Sequence, residues 1–322
     1  MDRRVLGIAL VLLSACSFGS GALFAKPVYA AGVDWLTLLS WRFLVGAALS
    51  WLWVLTSRRH RAALRAIPRR QVAAAVALGV LYVGNSATYY AAIETVSASL
   101  AALIVYVYPA IVAVLALFVG QRLAGTRAWA ALALALAGVV LAVGGIDPAT
   151  RPPIVGLVQA IASPLIYSVW IVLAARLIGE RRETTGAGSD GGAAAAPATA
   201  VMMSATAATY WLVTTALGRA PVAVPIPIDA WPPLLAIGAV ATFVAMQAFT
   251  AGARRIGAAQ AALLSTIEPL WTITLAGLLL GEHLTGIQAV GGALILGGVL
   301  LSQATPELLR RRVRPVYRVA DE

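Results

Sequence analysis

The 322-residue chain is 61% hydrophobic, only 11% charged, and carries a formal net charge of +11. An ordinary soluble domain holds about 25% charged residues, so this composition excludes one and points into a membrane. The positive charge does not mark a nucleic-acid binder, because the basic residues flank apolar runs rather than sit on a domain with its own core.

Runs of roughly 20 apolar residues match a ~30 Å hydrocarbon core at helical rise, and ten such spans are read along the chain. The first covers 5–25, behind Arg3 and Arg4, and ends at Lys26. Its Leu13-Ser14-Ala15-Cys16 imitates a lipoprotein cleavage site, but the apolar run continues through Phe24, which favours an uncleaved span. Cys16 is the only cysteine, so no intramolecular disulfide is expected. The second span, 33–56, contains Trp41 and Arg42. The loop at 57–70 is rich in arginine and reads as a cytoplasmic segment resting on anionic lipid headgroups, each charge contributing about 1 kcal/mol.

The third span, 71–93, places Tyr82, Asn85 and Tyr89 at i, i+3 and i+7, on one helix face, with Tyr90 beside it. The fourth, 97–119, carries Tyr106 and Tyr108 just before Pro109. A fifth, 128–146, leads into 145–153, where Asp147-Pro148 and Pro152-Pro153 favour turns over helix. The sixth, 154–175, offers Gln159, Tyr167 and Trp170 as weaker candidates. The Gly- and Ala-rich stretch 179–198 reads as a flexible cytoplasmic linker. Spans at 199–218, 231–253, 257–281 and 286–303 follow, then a basic tail. In the eighth, Phe243 and Gln247 stand one turn apart. In the ninth, Ser265, Thr266 and Trp271 surround Glu268-Pro269. The spacings Gly277/Gly281 and Ala293/Gly297 predict close helix contact, within a monomer or in a homodimer.

With ten spans both termini share one side. Of the 24 Lys and Arg residues, 20 then fall on that side, Lys26, Arg151 and Arg219 on the other, and Arg42 inside a span. The positive-inside rule makes the crowded side cytoplasmic.

The turn at 145–153 divides the chain into two five-span halves that resemble each other. A shift of 160 positions brings Ala98, Ala101, Ala102, Leu103 and Pro109 onto Ala258, Ala261, Ala262, Leu263 and Pro269. One further position brings Gly120-Gln121-Arg122-Leu123-Ala124-Gly125 onto Gly281-Glu282-His283-Leu284-Thr285-Gly286. Because five is odd, equivalent spans cross in opposite directions. Such an inverted repeat places a site near the midplane, between halves that rock against each other.

Phe18-Gly19 with Lys26, Trp41-Arg42, the mid-span Pro109 and Pro269, Leu280-Gly281-Glu282 and the glycine-rich 291–299 together resemble the EamA family of the drug/metabolite transporter superfamily, over nearly the whole chain. The resemblance implies an all-α membrane protein, with ten transmembrane helices in two inverted five-helix repeats. It implies parts at 1–147, 148–303 and 304–322: first repeat, second repeat, cytoplasmic tail. It also implies an inner-membrane secondary transporter with a central cavity, often exporting amino acids or related metabolites. Gln121 departs from the glutamate many relatives carry at that helix end.

Glu268 and Arg42 are the ionisable residues placed well inside spans, where a charge costs roughly 2.5–3.5 kcal/mol and faces a partner or a wet cavity. Glu268 is read as the group that binds a substrate amine or carries a coupling proton, or as structural, either in a hydrogen-bonded helix break or as a fixed partner of Arg42. Arg42 is read as a carboxylate clamp, or as a snorkelling or ion-paired side chain. Tyr82, Asn85, Tyr89, Tyr106, Tyr108, Trp271 and Gln247 complete the expected substrate site. The alternative for these is interhelical packing, at about 0.6 kcal/mol per hydrogen bond. No cofactor, metal or enzymatic motif is found, and Gly19-Ser20-Gly21 is not a nucleophile elbow. His60 and His283 read as solvated loop residues. The expected partners are a small-molecule substrate and membrane lipids, with no nucleic acid. Uptake or exchange of cationic or sugar-linked metabolites, and a non-transporting membrane scaffold, remain as alternatives.

Overall fold

The computed structural model describes residues 2–118, 125–146, 151–174, 177 and 195–303, and among them there are helices and turns but no strand. Helix α1 (Arg3–Gly19) starts on Asp2, whose carboxylate accepts from the Arg4 amide, and continues past a break at Ser20 into α2 (Gly21–Ala30). The two glycines at this break are needed for approach. A Cβ on Gly19 would stand 2.9 Å from the Glu268 carbonyl, and one on Gly21 would stand 2.6 Å from the Tyr90 hydroxyl.

Asp34 caps α3 (Trp35–Thr56) by accepting from the amides of Leu36 and Thr37. The arginine-rich loop is helical as α4 (Arg58–Ala66), which buries none of its residues. It is tied back by Arg61, whose Nη1 donates to the Leu55 carbonyl, one of the acceptors a helix end leaves open. Helix α5 (Arg69–Thr95) follows. Then α6 (Ala98–Val105) and α7 (Tyr108–Phe118) form one interrupted segment. Next come α8 (Gly125–Gly144), α9 (Ile154–Ala174) and α10 (Ala195–Ala216). The eighth expected span is α11 (Trp231–Gly238), a π-helical turn (Ala239–Val244) and α12 (Ala245–Ile256). The ninth is α13 (Ala258–Ser265) and α14 (Ile267–Leu280), and the tenth is α15 (Gly286–Gln303).

Seven of these helical segments are long and apolar enough to cross a membrane, and Trp129–Gly144 and Gly286–Ser302 are apolar but shorter. Helix α10 is not among them, because its one serine and five threonines lower its hydropathy. Several of those hydroxyls bond back to the preceding turn, as Ser204 does to Ala200 and Thr209 to Ala205, so little polarity is presented outward. Residues 195–198 of the expected linker belong to α10. The rest of that linker, the tail and Gln121 lie outside the described residues.

Close packing follows glycines other than those expected. A Cβ on Gly138 would meet the Gly291 carbonyl at 2.5 Å, and one on Gly298 the Ala131 carbonyl at 2.6 Å, so α8 and α15 touch backbone to backbone. Gly297 has nothing within 4 Å, and Gly281 instead ends α14 at φ 66°, a left-handed cap that glycine adopts without penalty. Helix α10 packs between α3 and α5, α9 lies on α5, and α1 lies on α12.

Candidate functional site

Three helix breaks converge on one place. Ser20 separates α1 from α2, the pair Tyr106-Val107 separates α6 from α7, and Thr266 separates α13 from α14. Pro109 and Pro269 stand just past the second and third breaks. Each lacks an N–H and its ring crowds the carbonyl one turn back, so the helix opens there. For Pro269 that carbonyl belongs to Ser265, and the Tyr106 hydroxyl donates to it. The second oxygen near that hydroxyl is Glu268 Oε2, at 3.3 Å. A phenol has one hydrogen, so Tyr106 serves one of these acceptors at a time.

Beside the breaks lies a cavity of about 410 Å³, within the range of small-molecule pockets. Glu268 and Tyr106 line it, as do Arg42 from α3 and Tyr82, Asn85 and Tyr89 from α5. Tyr108 completes the set of seven expected site residues that share this one space. Its walls are aromatic: Tyr108 and Tyr167 meet edge to face at 4.8 Å, Tyr167 stacks on Trp170 at 5.9 Å, and Tyr82 stands 5.2 Å from Trp170. The i, i+3, i+7 face of α5 is therefore a lining face, and Asn85 is fixed on it by accepting from Ser163 at 3.0 Å.

Arg42 is 5% exposed. Its Nε donates to Thr242 Oγ1 at 2.8 Å, while the Thr242 hydroxyl donates to Ile237, five residues back, in the register of the π-helical turn. Nη2 reaches the Ala241 carbonyl at 3.4 Å, and the guanidinium carbon lies 4.4 Å over the Tyr90 ring. The π-turn thus presents the acceptors that hold this cation, a common use of such turns at functional sites. Nη1 is buried and has no hydrogen-bond partner. Arg42 and Glu268 do not form an ion pair, so the fixed pair is not seen, while the Tyr106 hydroxyl 3.3 Å from Glu268 keeps the hydrogen-bonded helix break beside the functional reading.

Two expected site residues do not line this cavity. Trp271 is 37% exposed, on the outer face of α14, with its Nε1 donating to Ser20 Oγ at 3.0 Å. Gln247 is half-buried outside the cavity, and α12 turns Met246 and Phe249 inward instead. Phe243, taken with Gln247 as one face, packs against Trp53. Phe18, Ser86, Val105 and Ile171 also line the cavity without having been singled out for it. An apolar helix in a membrane is apolar all round, so its sequence does not say which side faces a cavity. Among the described residues no cluster of three His, Cys, Asp or Glu side chains is able to hold a metal.

The chain is 28% identical over 298 residues to an "Uncharacterized transporter" of Archaeoglobus fulgidus, a match covering 92% of this chain and 96% of that one. A protein of solved crystal structure superposes with a TM-score of 0.61 at 21% identity, covering 97% of this chain and 99% of its own, which speaks for the fold alone. The model of the EamA-like transporter family matches twice, over residues 5–144 and 154–303. The two matches span both halves of the sequence and meet at the proline-rich turn between them, so this chain belongs to the EamA-like transporter family and is a multi-pass membrane transporter.

Proposed function

We propose that the protein is a secondary active transporter that exports small amino acids or related metabolites across the inner membrane by alternating access. Ten crossings arranged as two inverted halves, 1–147 and 148–303, rock about the aromatic cavity, with both termini and the tail 304–322 in the cytoplasm. The observation that carries this reading is the separation of Arg42 and Glu268. A carboxyl group and a guanidinium line one cavity without pairing, and the buried Nη1 of Arg42 has no hydrogen-bond partner. A guanidinium that is already oriented and still short of an acceptor suits a carboxylate. Glu268 then takes the amine, or a coupling proton between loads, and the tyrosines and Trp170 take the apolar part of the solute. The positive-inside count sets the sidedness, and the arginines of α4 rest on anionic headgroups.

The test is counterflow of radiolabelled amino acids in proteoliposomes of the purified full-length protein. Saturable counterflow that is lost in Arg42→Ala and Glu268→Gln supports the reading. Counterflow of a solute unaffected by both substitutions removes the site, and no flux of any amino acid removes the substrate class.

A further inference from the structure

The connection between α5 and α6 and the first residues of α6, together 96–99, are held from both sides by charged groups that the binding cavity does not use. From α2, Lys26 Nζ donates to the Val96 carbonyl at 2.8 Å. From the turn after α14, Glu282 accepts from the Ala98 amide at 2.9 Å with one carboxylate oxygen. Its other oxygen accepts from the Ser99 amide at 2.9 Å and the Ser99 hydroxyl at 2.8 Å. Three hydrogen bonds to one carboxylate at a helix N-terminus combine charge assistance with a favourable helix dipole. They join the first half of the chain to the second at the end of the molecule opposite α4.

At this same end a shallow cup of about 440 Å³ is lined by Lys26, Tyr29, Asp34 and Glu94, and it shares no lining residue with the central cavity. Lys26 both lines this cup and donates to Val96, so the contact lies beside the cup, at the face the central cavity does not reach. In the sequence, the repeat partners of Glu282, Ser97 and Ser99 are Gln121, Gly257 and Ala259. A glutamine offers one neutral acceptor oxygen, and an alanine offers no hydroxyl. The residue before α13 is Gly257, which has no side chain to cap with, whereas α6 is capped by Ser97 as well as gripped by Glu282.

We propose that Glu282 is the latch closing the outer end of the transport pathway. This rests on the alternating-access reading above. Substrate or proton loading in the cavity has to overcome the latch before the outer face opens, which limits leakage of the empty carrier.

The experiment uses full-length protein carrying Cys16→Ser and a single introduced cysteine. Val105→Cys, in the cavity lining, is labelled by a membrane-impermeant thiol reagent applied to one face at a time, with and without Glu282→Gln or Ser99→Ala. Gly218→Cys, in a connecting turn, identifies the face independently. Expected is slow labelling of Val105→Cys from the Gly218 face in the parent, and labelling about tenfold or more faster in Glu282→Gln, with Ser99→Ala between them. Thermal unfolding of each variant excludes collapse as the cause of faster labelling. Equal rates in parent and both variants from the Gly218 face overturn the latch. Faster labelling in a protein that shows no flux leaves the latch standing and removes the transport reading instead.

Discussion

The hydroxyl of Tyr106 donates to the carbonyl of Ser265, the acceptor that Pro269 leaves without its helical N–H. A defect in one half of the chain is thereby repaired by a side chain at the matching break of the other half. The Tyr106→Phe substitution leaves that carbonyl unsatisfied and is expected to cost about 1–3 kcal/mol of stability. This exceeds the ~0.6 kcal/mol of an average interhelical bond in a membrane, because Pro269 cannot supply the N–H that a helix would return to this carbonyl. In Pro269→Ala the restored amide serves Ser265, so the added cost of Tyr106→Phe shrinks there. Thermal unfolding of the four proteins of this cycle measures the coupling directly, and additive effects remove it.

Arg42 offers a second test, since its Nε and Nη2 are committed to the π-helical turn while Nη1 is left over. Arg42→Lys keeps the charge but loses the fork, so it cannot hold the turn and reach a carboxylate together. With one charge-assisted hydrogen bond lost, the KM for a carboxylate-bearing substrate is expected to rise about tenfold or more. An unchanged KM in Arg42→Lys assigns the cation a purely electrostatic role.

Membership of the cavity separates residues that the sequence treats alike. Met246 and Phe249 face the chamber, and Gln247 between them does not. Met246→Ala enlarges the chamber and is expected to shift the preferred substrate toward a larger side chain, while Gln247→Ala leaves the preference where it was. Competition assays with a size series of amino acids check this ordering.

Much of this arrangement is legible in the sequence because polarity inside a membrane has few permitted places. Tyr82, Asn85 and Tyr89 share a face, and that face lines the cavity, since a polar helix face in lipid must turn inward. Pro109 and Pro269 stand just past two of the breaks, but Pro164 is carried inside an unbroken α9, so a proline in the sequence suggests a break without fixing one. Trp271 escapes the same logic: an indole is apolar enough for lipid, and its one N–H is satisfied by Ser20 beside it. The glycines show the reverse failure. Small residues at i and i+4 suggest packing, but only the partner's position decides which glycine is used, and here it is Gly291 rather than Gly297.

That choice is itself testable. In Gly291→Ala the new methyl would stand 2.6 Å from the Gly138 carbonyl and 2.8 Å from the Ala142 amide, both backbone atoms that cannot swing away. The helices α8 and α15 have to separate, and a loss of about 1–3 kcal/mol is expected. Gly297→Ala meets nothing within 4 Å and gains helix propensity, so it should be neutral or stabilising by about 0.5–1 kcal/mol. Thermal unfolding of the two variants in detergent gives opposite signs if α8 and α15 touch as described.

Sidedness underlies both the export reading and the outer latch, and the chain is well suited to testing it because Cys16 is its only cysteine. In a Cys16→Ser background, single cysteines at Ala66, exposed at the end of α4, and at Gly218, exposed past α10, sit on opposite faces if ten crossings are right. The arginines around α4 are held back from translocation by the positive-inside bias. An impermeant thiol reagent added to intact cells should therefore label Gly218→Cys, and should label Ala66→Cys only after permeabilisation. Replacing Arg58, Arg59, Arg61 and Arg65 with glutamine weakens the bias at this loop alone, yet Arg69, Arg70 and the remaining basic loops still oppose inversion. The labelling pattern is thus expected to survive that fourfold change, because orientation is set by the summed asymmetry rather than by one loop. Labelling of both positions from the same side would reduce the number of crossings between them to an even count, which the path from α4 through α5, α6 with α7, α8, α9 and α10 does not allow.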